Sequence, residues 1–151
     1  GAGTTINLLG TGGFAPLSVF TTNNGTINLT LGGIFQCTPF QGTFTNNGTI
    51  DLGADRWFKV NGNFTMGAAG ILNLDLASQT RYSHVIATGA ATLTGTAAFQ
   101  LVSFTPTPGM VFNFFLSASR AGTFATTTIP TFGGGAGSVA YVNNGANLVI
   151  A

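Results

Sequence analysis

The sequence contains very few charged residues. Lysine and arginine total four, aspartate and glutamate total three, and charged residues make up 5% of the 151 positions, against roughly 25% in ordinary soluble domains. The basic residues are scattered along the chain: Arg56, Lys59, Arg81 and Arg120. Because nucleic-acid binding needs a clustered basic surface, we expect no nucleic-acid partner. With little charge to repel neighbouring copies, self-association is the default expectation.

Cysteine and long apolar runs are also scarce. Cys37 is the single cysteine, so we expect a small buried side chain in preference to an intermolecular link. The densest apolar stretch, "MVFNFFL" at 110–116, is far shorter than the ~18 residues of a membrane-spanning helix, and we expect no membrane insertion. The chain begins at Gly1 without Met, so we expect a processed product or a piece of a longer protein.

A short phrase recurs along the chain. "TNNGTINL" at 22–29 returns as "TNNGTIDL" at 45–52. Related phrases follow at steps of 22–27 residues, beginning at Gly3, Gly25, Gly48, Gly70, Gly95, Gly122 and Gly145. The first four carry an apolar–polar–apolar triplet, which is the period-two pattern of a strand with one buried face.

Three Asn-Asn-Gly stretches separate short strand-like segments: Asn23-Asn24-Gly25, Asn46-Asn47-Gly48 and Asn143-Asn144-Gly145. Asn and Gly tolerate left-handed backbone, so they suit hairpin turns or the corners of a coil. The short flanking strands and regular spacing favour coil corners. We predict an all-β fold, a β-solenoid (right-handed parallel β-helix) of about six or seven coils, with residues 1–151 as one domain. An antiparallel β-sandwich is the alternative.

Several phrases carry a family resemblance: "NGNFTMGAAGILNLDL" (61–76), "YSHVIATGAATLTGT" (82–96), "FTPTPGMVFNFF" (104–115) and "AGTFATTTIP" (121–130). They resemble the β-helical passenger regions of large bacterial surface proteins, including autotransporters. The resemblance implies a right-handed β-helix and an extracellular setting. It implies no specific activity.

Residues that could support catalysis are few. His84 is the only histidine and adjoins Ser83, but adjacent strand residues point to opposite faces. Asp51 and Asp75 lie about one repeat apart and could form a carboxylate pair. The alignment of the repeats instead predicts an outer polar ladder of Asn7, Asn28, Asp51 and Asn73. No acidic tract matches a calcium loop, and we expect no enzyme, cofactor or metal.

The stretch "DRWFKV" at 55–60 concentrates two basic residues, an acid and the only tryptophan. Trp and Arg are favoured at interface hot spots, so Arg56, Trp57 and Lys59 form a candidate interface patch. A sugar-stacking site and an ordinary amphipathic strand are the alternatives. Four N-glycosylation sequons are also present, at Asn24, Asn28, Asn47 and Asn63.

The two ends of the predicted coil stack lack an evident polar cap. The chain opens on "GAGTTINLL" and closes on "NNGANLVIA", and unpaired terminal strands are templates for another chain. The candidate assembly strands contain Thr5, Ile6, Leu8, Leu148 and Ile150.

We therefore expect a structural subunit of an extracellular filament, sheath or surface layer, in which copies join end to end. The alternative is an adhesin-type passenger segment that presents a binding surface on the side of the rod, with cell-surface glycans as possible partners. A degenerate polysaccharide-active β-helix is a third interpretation, weakened by the small number of carboxylates.

Overall fold

The computed structural model of the chain describes residues 5–7, 20–31, 33–133 and 135–151. These residues form β-strands and turns, and none of them belongs to a helix that could cross a membrane. The described strands are β1 (Thr5–Asn7), β2 (Thr22–Asn23), β3 (Thr26–Leu29), β4 (Ile34–Cys37), β5 (Thr43–Asn46), β6 (Thr49–Leu52), β7 (Trp57–Val60), β8 (Asn63–Met66), β9 (Ile71–Leu76), β10 (His84–Ala87), β11 (Ala90–Leu93), β12 (Thr96–Leu101), β13 (Val111–Leu116), β14 (Ser119–Gly122), β15 (Thr126–Thr128), β16 (Gly137–Val142) and β17 (Gly145–Ile150).

The strands form three sheets that the chain visits in rotation. Sheet A has the order β1-β3-β6-β9-β12-β15, sheet B the order β16-β17-β13-β10-β7-β4, and sheet C the order β14-β11-β8-β5-β2. Each turn passes through sheets C, A and B once, and the strands of successive turns pair in parallel. Parallel neighbours need a long crossover, which the other two sheets supply. The β-solenoid prediction is confirmed, and the β-sandwich alternative is wrong. The right-handed sense stays a prediction.

The predicted number of six or seven coils was too high, because the part of the chain that the structure describes makes about four turns. The full turns are β2–β4, β5–β7, β8–β10 and β11–β13. The repeat copies from Gly3 to Gly122 precede the six described strands of sheet A, of which β1 and β15 are the two outermost. The seventh copy, at Gly145, begins β17 on sheet B instead.

The end of the chain forms a hairpin. β16 and β17 pair antiparallel, and β17 pairs antiparallel with β13. Asn143 and Asn144 are the two residues between the hairpin strands, followed by Gly145. The prediction that Asn143-Asn144-Gly145 forms a coil corner is therefore wrong, because an Asn-Gly turn also fits a tight hairpin.

Inward side chains form in-register columns that make a single core. Sheet A contributes Ile6, Ile27, Ile50, Leu72 and Ala97, and sheet B contributes Phe35, Phe58, Val85 and Phe115. The rings of Phe35 and Phe58 stack with centroids 4.8 Å apart. Phe44 and Phe64 of sheet C pack against Phe58 at 5.3 and 6.4 Å, so the core continues from sheet to sheet.

Buried asparagines complete two of the predicted corners. Asn23 and Asn46 are buried, and the Asn23 side-chain amide donates to Oδ1 of Asn46 at 2.7 Å. It also donates to the carbonyl of Thr49 at 3.0 Å. These bonds satisfy polar groups that would otherwise be costly to bury, and they link one coil to the next.

Replacing Phe58 by Ala should lower the free energy of unfolding by about 3–5 kcal/mol, because it empties a fully buried site among three other phenylalanines. Phe40→Ala is the matched control, since Phe40 is 84% exposed, and its effect should stay within about 0.5 kcal/mol. Urea unfolding followed by fluorescence measures both. Equal losses in the two variants would contradict the assignment of the core.

Burial raises the pKa of the Cys37 thiol to about 12, and the side chain is fully buried. Because the thiolate is the reactive form, iodoacetamide at pH 8 should alkylate the folded chain far more slowly than the chain in concentrated urea. Mass spectrometry over time gives both rates. Similar rates in the two conditions would show that the thiol is accessible.

Candidate functional site

The outer side of sheet B carries an apolar and aromatic surface, which we call the Trp57 face. It consists of outward side chains of β4, β7 and β10 and the end of β13: Ile34, Gln36, Trp57, Lys59, His84, Ile86 and Leu116. Ile34 is 50% exposed and Leu116 38%. The period-two alternation of these strands turns the residues outward while Phe35, Phe58 and Val85 enter the core.

Stacked rings dominate one column of this face. The indole of Trp57 and the imidazole of His84 are stacked nearly parallel, with ring centroids 4.1 Å apart and an angle of 6° between the ring planes. The ring of Tyr82 lies 4.3 Å from His84. Ile34 is the in-register neighbour of Trp57 on the opposite side. The indole is therefore flanked within its own column, which leaves little ring face for a sugar and disfavours the sugar-stacking alternative.

A groove of about 510 Å³ runs between this column and the next. Its lining contains the apolar Ile34, Trp57 and Ile86 and the polar Gln36, Lys59 and Thr88. Arg56 precedes β7, and its carbonyl accepts a hydrogen bond from the His84 backbone at 2.9 Å. Of the predicted patch, Trp57 and Lys59 line the groove, whereas Arg56 does not.

His84 adds no fixed positive charge to the face. Burial lowers its pKa, against the opposing effects of the Tyr82 backbone and the Asp55 carboxylate. The neutral imidazole is the favoured form at neutral pH, consistent with its stacking on Trp57. The neighbouring Ser83 turns inward, where its hydroxyl donates to the carbonyls of Leu52 and Gly53 at 2.8 and 3.0 Å.

The outer side of sheet A carries a polar groove of about 440 Å³. Its polar lining residues are Thr30, Asp51, Asn73, Asp75 and Gln100. The predicted ladder residues Asn7, Asn28, Asp51 and Asn73 lie in register across β1, β3, β6 and β9. Within the groove, the Asn73 amide donates to the Asp51 carboxylate, and Asp75 is the in-register neighbour of Gln100.

The environment of Asp75 disfavours its charged form. Burial raises the pKa of this carboxyl, and the Asp51 carboxylate raises it further. The two aspartates thus share one groove, as their spacing along the sequence suggested. Carboxylates and amides together can accept and donate hydrogen bonds, which is the chemistry that hydroxyl-rich ligands require.

The predicted glycosylation sites differ in their surroundings. Asn24 and Asn47 are exposed at stacked corners, and the Asn47 amide donates to Oδ1 of Asn24 at 3.2 Å. Asn63 accepts a hydrogen bond from the Ala90 backbone at 2.8 Å. Oδ1 of Asn28 accepts from the Thr30 backbone at 3.0 Å. Glycosylation stays a prediction at all four positions.

The predicted assembly strands are only partly available for pairing. β1, with Thr5 and Ile6, is the outermost described strand of sheet A, whereas Leu8 lies outside the described residues. Leu148 and Ile150 belong to β17, which is paired on both sides, and their side chains are buried. Assigning these two residues to an unpaired strand was wrong, because the hairpin places β16 outside β17.

No protein-family model matches the sequence, and no curated protein shows significant sequence similarity to it. The function is therefore inferred from the two outer surfaces of sheets A and B. Sequence reasoning found Trp57 and Lys59 but missed Ile34 and Ile86, because the pairing of strands from different coils decides which distant residues meet. Gln100 was missed for the same reason.

Asp75→Asn should raise the melting temperature at pH 7. Because the folded chain raises the pKa of Asp75, the contribution of this group to stability falls as pH rises through the folded pKa. The amide removes the unfavourable charge and keeps the shape of the side chain. Below about pH 3 the carboxyl is protonated in both states, so the difference should vanish.

Asp55→Asn is the control for that experiment, since Asp55 is exposed and lies outside the groove. Thermal unfolding followed by circular dichroism at both pH values should show no comparable gain for this variant. A lower melting temperature of Asp75→Asn at pH 7, or the same gain at low pH, would contradict the described environment.

Proposed function

We propose that the protein is a non-enzymatic structural rod of an extracellular surface, and that copies pair side by side through the Trp57 face. The observation that carries the proposal is the continuous apolar groove formed by Ile34, Trp57 and Ile86 on sheet B. Exposed apolar surface of this kind marks interaction sites. The extracellular and bacterial setting rests on the resemblance to β-helical passenger regions.

The chemistry of the face suits a second copy of the chain. The chain carries a formal net charge of only +1, so long-range repulsion between copies is weak. The loop and strand at the edge of the face carry both signs, Asp55 and Lys59. In a two-fold contact, Asp55 of one copy can face Lys59 of the other, and Lys59 of the first copy can face Asp55 of the second. Such a contact closes at a pair.

The structure of the C-terminal hairpin favours side-by-side pairing over end-to-end joining. Leu148 and Ile150 are buried within the solenoid rather than offered to a neighbour. The side of the solenoid that sheet B forms exposes Ile34 and Leu116. Pairing through the sides keeps the structural role and the self-association that the composition suggests. It differs from the sequence-based expectation only in the surface through which the copies associate.

Ile86→Glu should abolish pairing, because it places a carboxylate in the middle of the apolar contact. Ile71→Glu is the matched control: Ile71 is also partly exposed, but it lies on sheet A. Sedimentation velocity over a concentration series should show a mass rising towards a dimer for the wild type and the control, and a monomer for Ile86→Glu. A wild type that stays monomeric at its highest soluble concentration would refute the proposal.

The polar groove on sheet A supports a second candidate function, an adhesin-type segment that binds a cell-surface glycan. Two carboxylates, an amide pair and Thr30 converge there, and these groups can bind sugar hydroxyls. The same pair of aspartates is compatible with the polysaccharide-active interpretation, since burial and the neighbouring Asp51 carboxylate raise the pKa of Asp75, as in the general acid of such enzymes.

Native gels containing a soluble glucan, a galactan or glycol chitosan would test glycan binding. Retarded migration of the wild type, lost in Gln100→Ala and kept in Ile86→Glu, would support this function at the sheet A groove. Equal migration of wild type and Gln100→Ala in all three polysaccharides would count against it. Release of reducing ends would indicate cleavage in addition to binding.

A further inference from the structure

One inward column of each sheet changes from apolar to polar in the last turn. On sheet C, Phe64 and Ala91 are followed in register by Arg120. On sheet A, Ala97 is followed by Thr127. The inward column of sheet B ends at Tyr141, which pairs with Ala146. Each sheet therefore presents a polar group where another coil would require an apolar one.

Arg120 links two sheets at this end. Its Nε donates to the carbonyl oxygen of Val142 at 2.9 Å, at the end of β16, and its guanidinium also donates to the carbonyl of Gly122, at the end of β14. The guanidinium carbon lies 5.1 Å from the centre of the Tyr141 ring. The Tyr141 hydroxyl in turn accepts a hydrogen bond from the Phe124 backbone at 3.1 Å.

The direction of the terminal strands would otherwise allow end-to-end pairing. β17 runs antiparallel to β13, and β16 runs antiparallel to β17, so β16 has the same direction as β4 at the other edge of sheet B. β14 and β15 likewise have the directions of β2 and β1. At the level of strand direction, the three terminal strands therefore match the first described strands of the same three sheets.

We propose that Arg120, Thr127 and Tyr141 form a polar cap that keeps this end of the solenoid from joining the opposite end of a second copy. Inward-pointing charges protect exposed strand edges, and solenoids need polar terminal repeats to stay soluble. Stacking a coil on the cap would bury the guanidinium away from water, at a cost that no partner on the incoming apolar coil offsets. This inference does not depend on pairing through the Trp57 face.

The test compares Arg120→Met with Arg81→Met, both in the Ile86→Glu background to exclude side-by-side pairing. Arg81 is exposed in the turn after β9, so its substitution removes the same charge without touching the cap. Light scattering after size exclusion should show a mass that at least doubles with rising concentration for Arg120→Met, and an unchanged monomer for Arg81→Met. Electron microscopy of the associated species should show rods lengthened along their axis.

Thr127→Val provides an independent test, because Thr127 is exposed and its substitution removes only a hydroxyl from the cap. It should also promote association, more weakly than Arg120→Met. Folded variants at both positions that remain monomeric would overturn the proposal. If Arg120→Met fails to fold, a monomeric Thr127→Val would overturn it as well, and axial association of Thr127→Val would support it.

Discussion

In-register parallel pairing is the constraint on which the rest of the structure depends. Up to β15, each strand hydrogen-bonds to the strand one coil away, so its side chains lie against those at the same positions of the next coil. Ile27 meets Ile50, and Asn28 meets Asp51. The corners must then stack as closely as the strands: a Cβ on Gly48 would collide with the carbonyl oxygen of Gly25, so glycine is required there.

The same constraint gathers the outward side chains into columns. Sheet A presents the column of Asn7, Asn28, Asp51 and Asn73, sheet B presents the Trp57 face, and sheet C presents a row of Thr22, Thr45, Thr65 and Thr92. A binding surface on such a rod is built from columns rather than from a local motif. Extended, side-on recognition follows more naturally from this architecture than a small enclosed active site.

The sequence allowed the solenoid class and the strands of the early coils to be predicted, because their phrases are nearly identical. It did not allow the C-terminal hairpin to be predicted. Asn143-Asn144-Gly145 has the same residues as the two coil corners, although it forms a hairpin turn. Trp57 stood out locally, but its neighbours Ile34 and His84 come from other coils. Arg120 was seen only as a scattered basic residue, because its inward position depends on the register of β14.

The side-by-side contact can be measured directly by spin labelling. Thr88→Cys places a label at the sheet B groove, while the buried Cys37 stays unlabelled. Double electron–electron resonance should then give one short, well-defined distance between the labels on two copies. In a two-fold contact the same surface of both copies meets, so the two labels lie near each other at a single separation. A signal without any intermolecular distance, at a concentration where the protein associates, would contradict pairing through the Trp57 face.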